Sequence, residues 1–323
     1  MKKSILAITG LVFSTSMISN AAHASCGDIS ISEMNWASSQ LVTSVSKFLL
    51  EQGYGCSVQT VPTSTVPAVT SVAETGKPDI VTELWLNSAA LYKELEAEGK
   101  VITAASVLSD GGQDGWWIPK YLADKHPELK TIEGVLANPE LVGGRFHNAP
   151  NGWGIRIQND NLIKAFDFSS SKMGVFNHGS GETLAASIAS AYNSQEPWFG
   201  YYWAPTSVLG KYEMVSVDMG DFKKDVHVCI QDKECANPQK TALAIAPVIT
   251  AVTADLAKRE PEVLELMKNV TFTNAQMSKL LAWQEQNKAS SEETAVHFLT
   301  TQQDVWSGWI NDDARKNLAV LLK

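Results

Sequence analysis

The chain is poor in positive charge, in cysteine and in the short motifs that carry most enzyme chemistry. Its 323 residues set 26 Lys and Arg against 35 Asp and Glu. That balance argues against nucleic acid and anionic membrane as partners. The 21 glycines form neither G-x-x-x-x-G-K-[ST] nor G-x-G-x-x-G, so phosphate-cradling loops are missing. No G-x-S-x-G elbow presents a nucleophilic serine. His126, His147, His178, His227 and His297 keep no local metal spacing such as H-E-x-x-H. His178, Ser180 and Glu182 lie close together, but triads are assembled through space, and neighbours in sequence are weak grounds for one. The acidic residues Glu33, Asp79, Glu83 and Glu182 are scattered and support no paired acid–base role. These absences predict a protein without catalytic residues, metal or cofactor.

The chain starts with a basic Met1-Lys2-Lys3 and an apolar segment from Ile5 to Ile18. Ala22-His23-Ala24 fits the small-x-small rule, so a signal peptide of residues 1–24 is expected, cut after Ala24. Cys26 raises the alternative of a lipoprotein. A lipobox wants an aliphatic residue three before the cysteine, and His23 stands there, which favours a soluble exported protein. No later segment is long and apolar enough to span a bilayer. Cleavage leaves 24 basic against 35 acidic residues, a net charge of about −11 (24 − 35). Four cysteines in an exported chain favour two disulfides. Cys229 and Cys235 would close a small loop, which leaves Cys26 with Cys56. Spacing alone does not fix that connectivity.

What the chain has in quantity is tryptophan, ten in all. Five aromatics fill the six positions from Trp198 to Trp203, and Pro205 then turns the chain. Trp153 sits between Gly152 and Gly154, and Trp85 ends the apolar run from Asp79. Taken singly, each reads as packing. Their positions at strand ends and glycine turns point elsewhere, because ligands in α/β sheets sit at strand ends.

The first part of the chain alternates strand and helix. Strands are expected at Ile29–Ser32, Cys56–Val61 and Asp79–Trp85, with helices at Ser38–Glu51, capped by Ser38 or Ser39, and at Val66–Thr75. That order argues for a parallel sheet with right-handed crossovers. Trp36 and Trp85 then fall on the same carboxyl edge. Asp110–Gly115 reads as a flexible loop or a hinge, followed by Trp116-Trp117. Beyond it, helices are expected at 121–129, 132–138, 161–166 and 183–192, and strands at 198–203, 214–217 and 243–252. Pro247 weakens the last strand, since proline suits an edge or a bend. A helical tail follows, at 256–268, 274–286, 291–299 and about 303–322.

Several tryptophans facing one cleft make a cage for a cation, each ring contributing roughly 0.5–2 kcal/mol to a quaternary ammonium. At this point the motifs resemble a family. His147 to Ile155, Glu196 to Pro205 and Glu83-Leu84-Trp85 are similar to segments of the substrate-binding proteins of ABC importers for glycine betaine, proline betaine and related trimethylammonium compounds. The resemblance covers nearly all of the mature chain. It implies an α/β fold of the two-lobed periplasmic binding protein kind (type II-like). Each lobe would be a mostly parallel sheet flanked by helices, with the ligand in the cleft. It implies lobe one at 25–113 plus 247–323, lobe two at 114–246, a periplasmic monomer and a membrane ABC permease as partner. The family's aromatic box maps onto Trp85, Trp153 and Trp203, with Trp36 and Trp116 (or Trp117) as further candidates. The carboxylate-binding N–H groups map onto Gly154 and Ile155. Two departures stand out. Ile155 replaces a frequent cysteine, which should leave a backbone contact unaffected. Ala89 stands where some betaine binders carry a histidine. That loss, with Glu83 or Glu33 nearby, favours a ligand without a carboxylate, such as trimethylamine N-oxide or choline; glycine betaine and trimethylamine N-oxide stand level.

Overall fold

The computed structural model describes residues 26–322. The expected cleavage after Ala24 lies outside them. Among the described residues there are nine strands: β1 (Asp28–Met34), β2 (Ser57–Thr63), β3 (Ile80–Trp85), β4 (Val101–Pro119), β5 (Arg145–Asn148), β6 (Gly174–Asn177), β7 (Gly200–Ala204), β8 (Met214–Ser216) and β9 (Ile245–Thr253). They join in the order β2-β1-β3-β9-β4-β7-β5-β6, with β8 also on β4.

The two ends of this path are parallel and its middle is antiparallel. β1 runs parallel to β2 and β3, and β5 parallel to β6 and β7. β9 and β4 run antiparallel to each other and to the strands beside them. The parallel ends are what strand–helix alternation dictates, since each crossover helix returns the chain in one direction. β3 lies inside, and all six of its residues are buried, as its near-continuous apolar sequence requires of a strand covered on both faces. The family fold expected above, two α/β lobes around a cleft, is the one observed.

The stretch Asp110–Gly115 corrects the sequence reading. It is not a loop but part of β4, a single strand of 19 residues. Its pairing with β9 shifts between Leu108 and Gly112, so the glycines sit in a bulged strand that crosses from one end of the sheet to the other. Pro247 lies opposite that irregularity, where β9 needs no donor on this side.

Helix limits also differ. The first helix runs Ala37–Phe48, and its N-cap is Trp36 rather than a serine. The helix expected at 161–166 begins at Gly154 and runs to Ala165. Glycine and the mostly polar stretch Arg156 to Asn161, with Ile157 its one apolar residue, hide its start from an apolar pattern. The last expected helix is two, Gln303–Trp306 and Asp312–Ala319, because Asn311 caps the second. Both expected disulfides are present, Cys26–Cys56 and Cys229–Cys235. No helix among the described residues is long and apolar enough to cross a membrane.

Candidate functional site

A small cavity lies where the two parallel ends of the sheet face each other. From the β2-β1-β3 end come Trp36, Thr65, Trp85 and Ser88. Each stands at or just beyond the carboxyl end of its strand: Trp36 after β1, Thr65 opening the helix after β2, Trp85 closing β3 and Ser88 in the turn behind it. From the other end come Trp153, Gly154 and Ile155, just after β5, and Tyr201 and Trp203 on β7. Asp114 joins them from β4, opposite Trp203 in the ladder.

Four indoles thus converge from segments far apart in the chain. Trp153 packs edge-on against Trp36 (ring centroids 5.2 Å) and against Trp203 (5.0 Å). Trp36 and Trp153 are both N-cap residues, held extended between a strand and a helix. Trp153 Nε1 donates to Asn35 Oδ1 at 2.6 Å, which fixes its ring against the opposite end of the sheet. Trp85 comes so close to β4 that a Cβ on Gly112 would lie 2.1 Å from the indole. Asp114 is two residues further on the same strand and so points to the same face.

Two carboxyl groups belong to this cage. Asp114 Oδ1 accepts from Tyr201 Oη at 2.7 Å, and burial raises its carboxyl to about 7 although that bond opposes the rise. Glu83 stands behind the rings. Its Oε1 accepts from Trp36 Nε1 (2.7 Å), Ser38 Oγ (2.7 Å) and Trp85 Nε1 (3.3 Å). Burial likewise raises Glu83 to about 7 against those three bonds.

At the cavity's other wall the helix Gly154–Ala165 begins. Gly154 and Ile155 are its first two residues, whose N–H groups have no partner inside the helix. With the helix dipole they favour an anion. Gly154 must be glycine here, since a Cβ would lie 1.6 Å from the Ser88 carbonyl oxygen.

The structure thus brings Trp36, Trp85, Trp153, Gly154, Ile155 and Trp203 to one cavity. Trp116 is not there. It is fully buried, packed against Phe146, Phe166, Phe168 and Phe199. Alternation puts it on the face of Asp114, but two residues deeper, where it fills the core beneath and donates to Asn159 Oδ1. Trp117 points the other way and donates to the Tyr202 carbonyl. Glu33, too, does not line the cavity. Sequence reasoning missed Thr65, Ser88, Asp114 and Tyr201. Tyr201 was within reach, because strand alternation places it on the face of Trp203. Asp114 was masked by the glycines around it. His178 and Ser180 form no triad: His178 Nε2 pairs with His147 Nδ1 at 2.9 Å, and Ser180 caps the helix Gly181–Ser194.

Comparison with known proteins shows the family and the fold. Residues 27–301 match the family model of the substrate-binding domain of ABC-type glycine betaine transport systems. Among solved structures, the glycine betaine, L-proline ABC transporter binding protein from Borrelia burgdorferi superposes with a TM-score of 0.74. It is 16% identical, over 90% of this chain and 99% of that one. An ABC-transporter choline-binding protein solved with choline gives 0.75 at 19% identity, over 92% and 99%. A lactococcal protein in its closed, glycine-betaine-bound conformation gives 0.70 at 18%, over 88% and 100%. At these identities the structures speak for the fold, and the family model speaks for the role. The chain belongs to the family of substrate-binding domains of ABC-type glycine betaine transport systems.

Proposed function

We propose that the protein is a periplasmic monomer, released by cleavage after Ala24. It captures a small trimethylammonium compound of the glycine betaine class and delivers it to the membrane permease of an ABC importer. The observation that carries this reading is the convergence of Trp36, Trp85, Trp153 and Trp203 on one cavity. Each indole face contributes roughly 0.5–2 kcal/mol to a desolvated cation, so four supply a large share of the roughly 8 kcal/mol of micromolar binding. The N–H groups of Gly154 and Ile155 suit the ligand's carboxylate.

The lining of the same site supports a division into lobes at 25–113 plus 247–323 and 114–246. Four of the ten lining residues then belong to lobe one and six to lobe two, meeting across the cavity. β4 and β9 are the two crossing segments. Hydrogen bonds bridge the lobes around the cavity, from Val66 N to Gly152 O and from Gln158 Nε2 to Asn87 O. Closure around a ligand is the hinge motion such an arrangement permits.

The cage asks for no reaction. Ser88 Oγ accepts from Gln158 Nε2 at 2.9 Å, and the family's transport role supports binding without turnover. One observation favours a second ligand. Only Oδ1 of Asp114 has a hydrogen-bond partner among the described residues. The other oxygen would repel a carboxylate and accept from a hydroxyl, which favours a quaternary ammonium alcohol such as choline.

Charge separates a cation cage from a merely apolar pocket. A tert-butyl isostere of glycine betaine, 3,3-dimethylbutanoate, keeps the shape and loses the positive charge. It is expected to bind more weakly by roughly 2 kcal/mol, about thirtyfold, in competition titration. Equal affinity would remove the cage from the account.

A pH effect follows from the two acids. An acid whose folded pKa lies above its unfolded value contributes stability below the unfolded value, lost as pH rises through the folded one. For Glu83 and Asp114 that window runs from about 4 to about 7. A bound cation favours their ionised forms and returns the loss. Burial lowers His147, His178 and His227, which titrate in the opposite sense outside the cage. The ligand-induced gain in thermal midpoint, rather than the midpoint itself, therefore reports on the cage. With choline, whose charge is fixed, the gain is expected to be larger at about pH 8 than at about pH 5.5. An equal gain in scanning fluorimetry would show that neither acid faces the cation.

A further inference from the structure

We propose that Glu83 is a positioning residue of the cage, setting its preference for a cation over a neutral group of the same shape through Trp36 and Trp85. The proposal rests on the reading that the cavity holds a trimethylammonium head.

Glu83 does not line the cavity. It is fully buried in the interior strand β3, where every other residue but Thr82 is apolar. Its backbone has φ +49°, a left-handed conformation that costs a non-glycine residue free energy. That conformation falls where the pairing of β3 with β9 shifts, between Val81 and Leu84. Such an irregularity re-aims a side chain. Here it turns the carboxyl beneath the cage, where one oxygen collects the indole N–H groups of two cage tryptophans.

Its charge has no counter-ion among the described residues. Glu83 forms no salt bridge among the described residues, and its Oε2 is enclosed without a hydrogen-bond partner. A buried carboxylate left like this is costly unless a positive charge comes near. The cavity on the far side of Trp36 and Trp85 is where one would arrive. Two effects then act together. An indole that donates to a carboxylate keeps more negative charge on its face, and the carboxylate itself attracts the cation across a water-poor site. Neither acts on a neutral head.

Glu83→Gln tests this with little change of shape, since the amide oxygen still accepts from both indoles. Dissociation constants for glycine betaine and 3,3-dimethylbutanoate are measured by titration on both proteins. The variant is expected to bind glycine betaine roughly tenfold more weakly and the isostere within about twofold of wild type. The ratio between the two ligands therefore falls about tenfold. Equal losses for both would mean that Glu83 only holds the rings in place, and unchanged affinities would mean that it does nothing; either result overturns the proposal. Wild-type protein that binds no trimethylammonium compound overturns the cage itself, and this proposal with it.

Should the variant not fold, Asp114→Asn gives the same information. The titratable groups that line the cage or bond to its tryptophans are Glu83 on β3, Asp114 on β4 and Tyr201 on β7. Tyr201 is held far above its usual range and stays neutral. In Asp114→Asn the ligand ratio is expected to rise about tenfold from about pH 5.5 to about pH 8.5, as Glu83 ionises. A flat ratio over that range overturns the proposal.

Discussion

Replacing Gly154 by alanine is expected to leave the protein folded and to weaken ligand binding by at least about a hundredfold. A Cβ at this position would meet the Ser88 carbonyl oxygen at 1.6 Å. The obstacle is backbone, so no side chain can swing aside. The start of the helix Gly154–Ala165 must move away from the turn Leu86–Ser88. In the lobe division proposed here these belong to different lobes, and either lobe keeps its own core when they part. Contacts that accompany the approach are lost together. Trp153 Nε1 leaves Asn35, the bonds of Gln158 and Gln231 to the Asn87 carbonyl open, and Val66 N loses Gly152 O. A hundredfold loss corresponds to about 2.7 kcal/mol, about two net hydrogen bonds. Titration calorimetry and solution scattering check it. Wild type should contract on adding saturating ligand and Gly154→Ala should not. Affinity within about threefold of wild type would mean that the helix start and the turn need not meet.

Trp153→Ala and Trp203→Ala are each expected to cost at least about tenfold in affinity while the fold survives. Each removes a cation–π face worth about 1–2 kcal/mol when desolvated, together with buried contact area. Trp153 carries more than its own face, because it packs edge-on against both Trp36 and Trp203. Its loss also frees Asn35, whose side chain holds it. Trp203 leans on Tyr201 and Tyr202, so its removal opens the floor toward Asp114. The thermal midpoint of the ligand-free protein is the control. A fall large enough to unfold either variant at room temperature would assign these rings to the core rather than to the ligand. Unchanged affinity in both variants would remove them from the site.

The sequence by itself determined much that depends on neighbours along the chain. Alternation of apolar residues placed β1 and β2, and a near-continuous apolar run placed β3, because a strand covered on both faces buries every residue. Glycine beside Trp153 and proline after Trp203 marked where the chain turns, and turns at strand ends are where a tryptophan can face a cleft. The resemblance to trimethylammonium-binding proteins then joined Trp85, Trp153 and Trp203 in one box. Cysteine spacing suggested the pairs Cys26–Cys56 and Cys229–Cys235, both of which are present.

Only the tertiary structure decided what depends on distance across the chain. Asp110–Gly115 looked flexible by composition, yet its hydrogen bonds go to β7 and β9, more than 80 residues away. Propensity does not contain those partners, and they make it a strand. Trp116 and Asp114 share one face of β4, but depth along the strand sends the first into a phenylalanine core and the second into the cage. Nothing local separates them. The same holds for Glu83, which is a lone acid in an apolar strand when read as sequence. Its function as proposed here exists because Trp36, 47 residues away, and Trp85 donate to the same oxygen. Charge, burial and hydrogen bonding at a site are sums over whatever the fold brings within a few ångströms, and a one-dimensional pattern does not carry that sum.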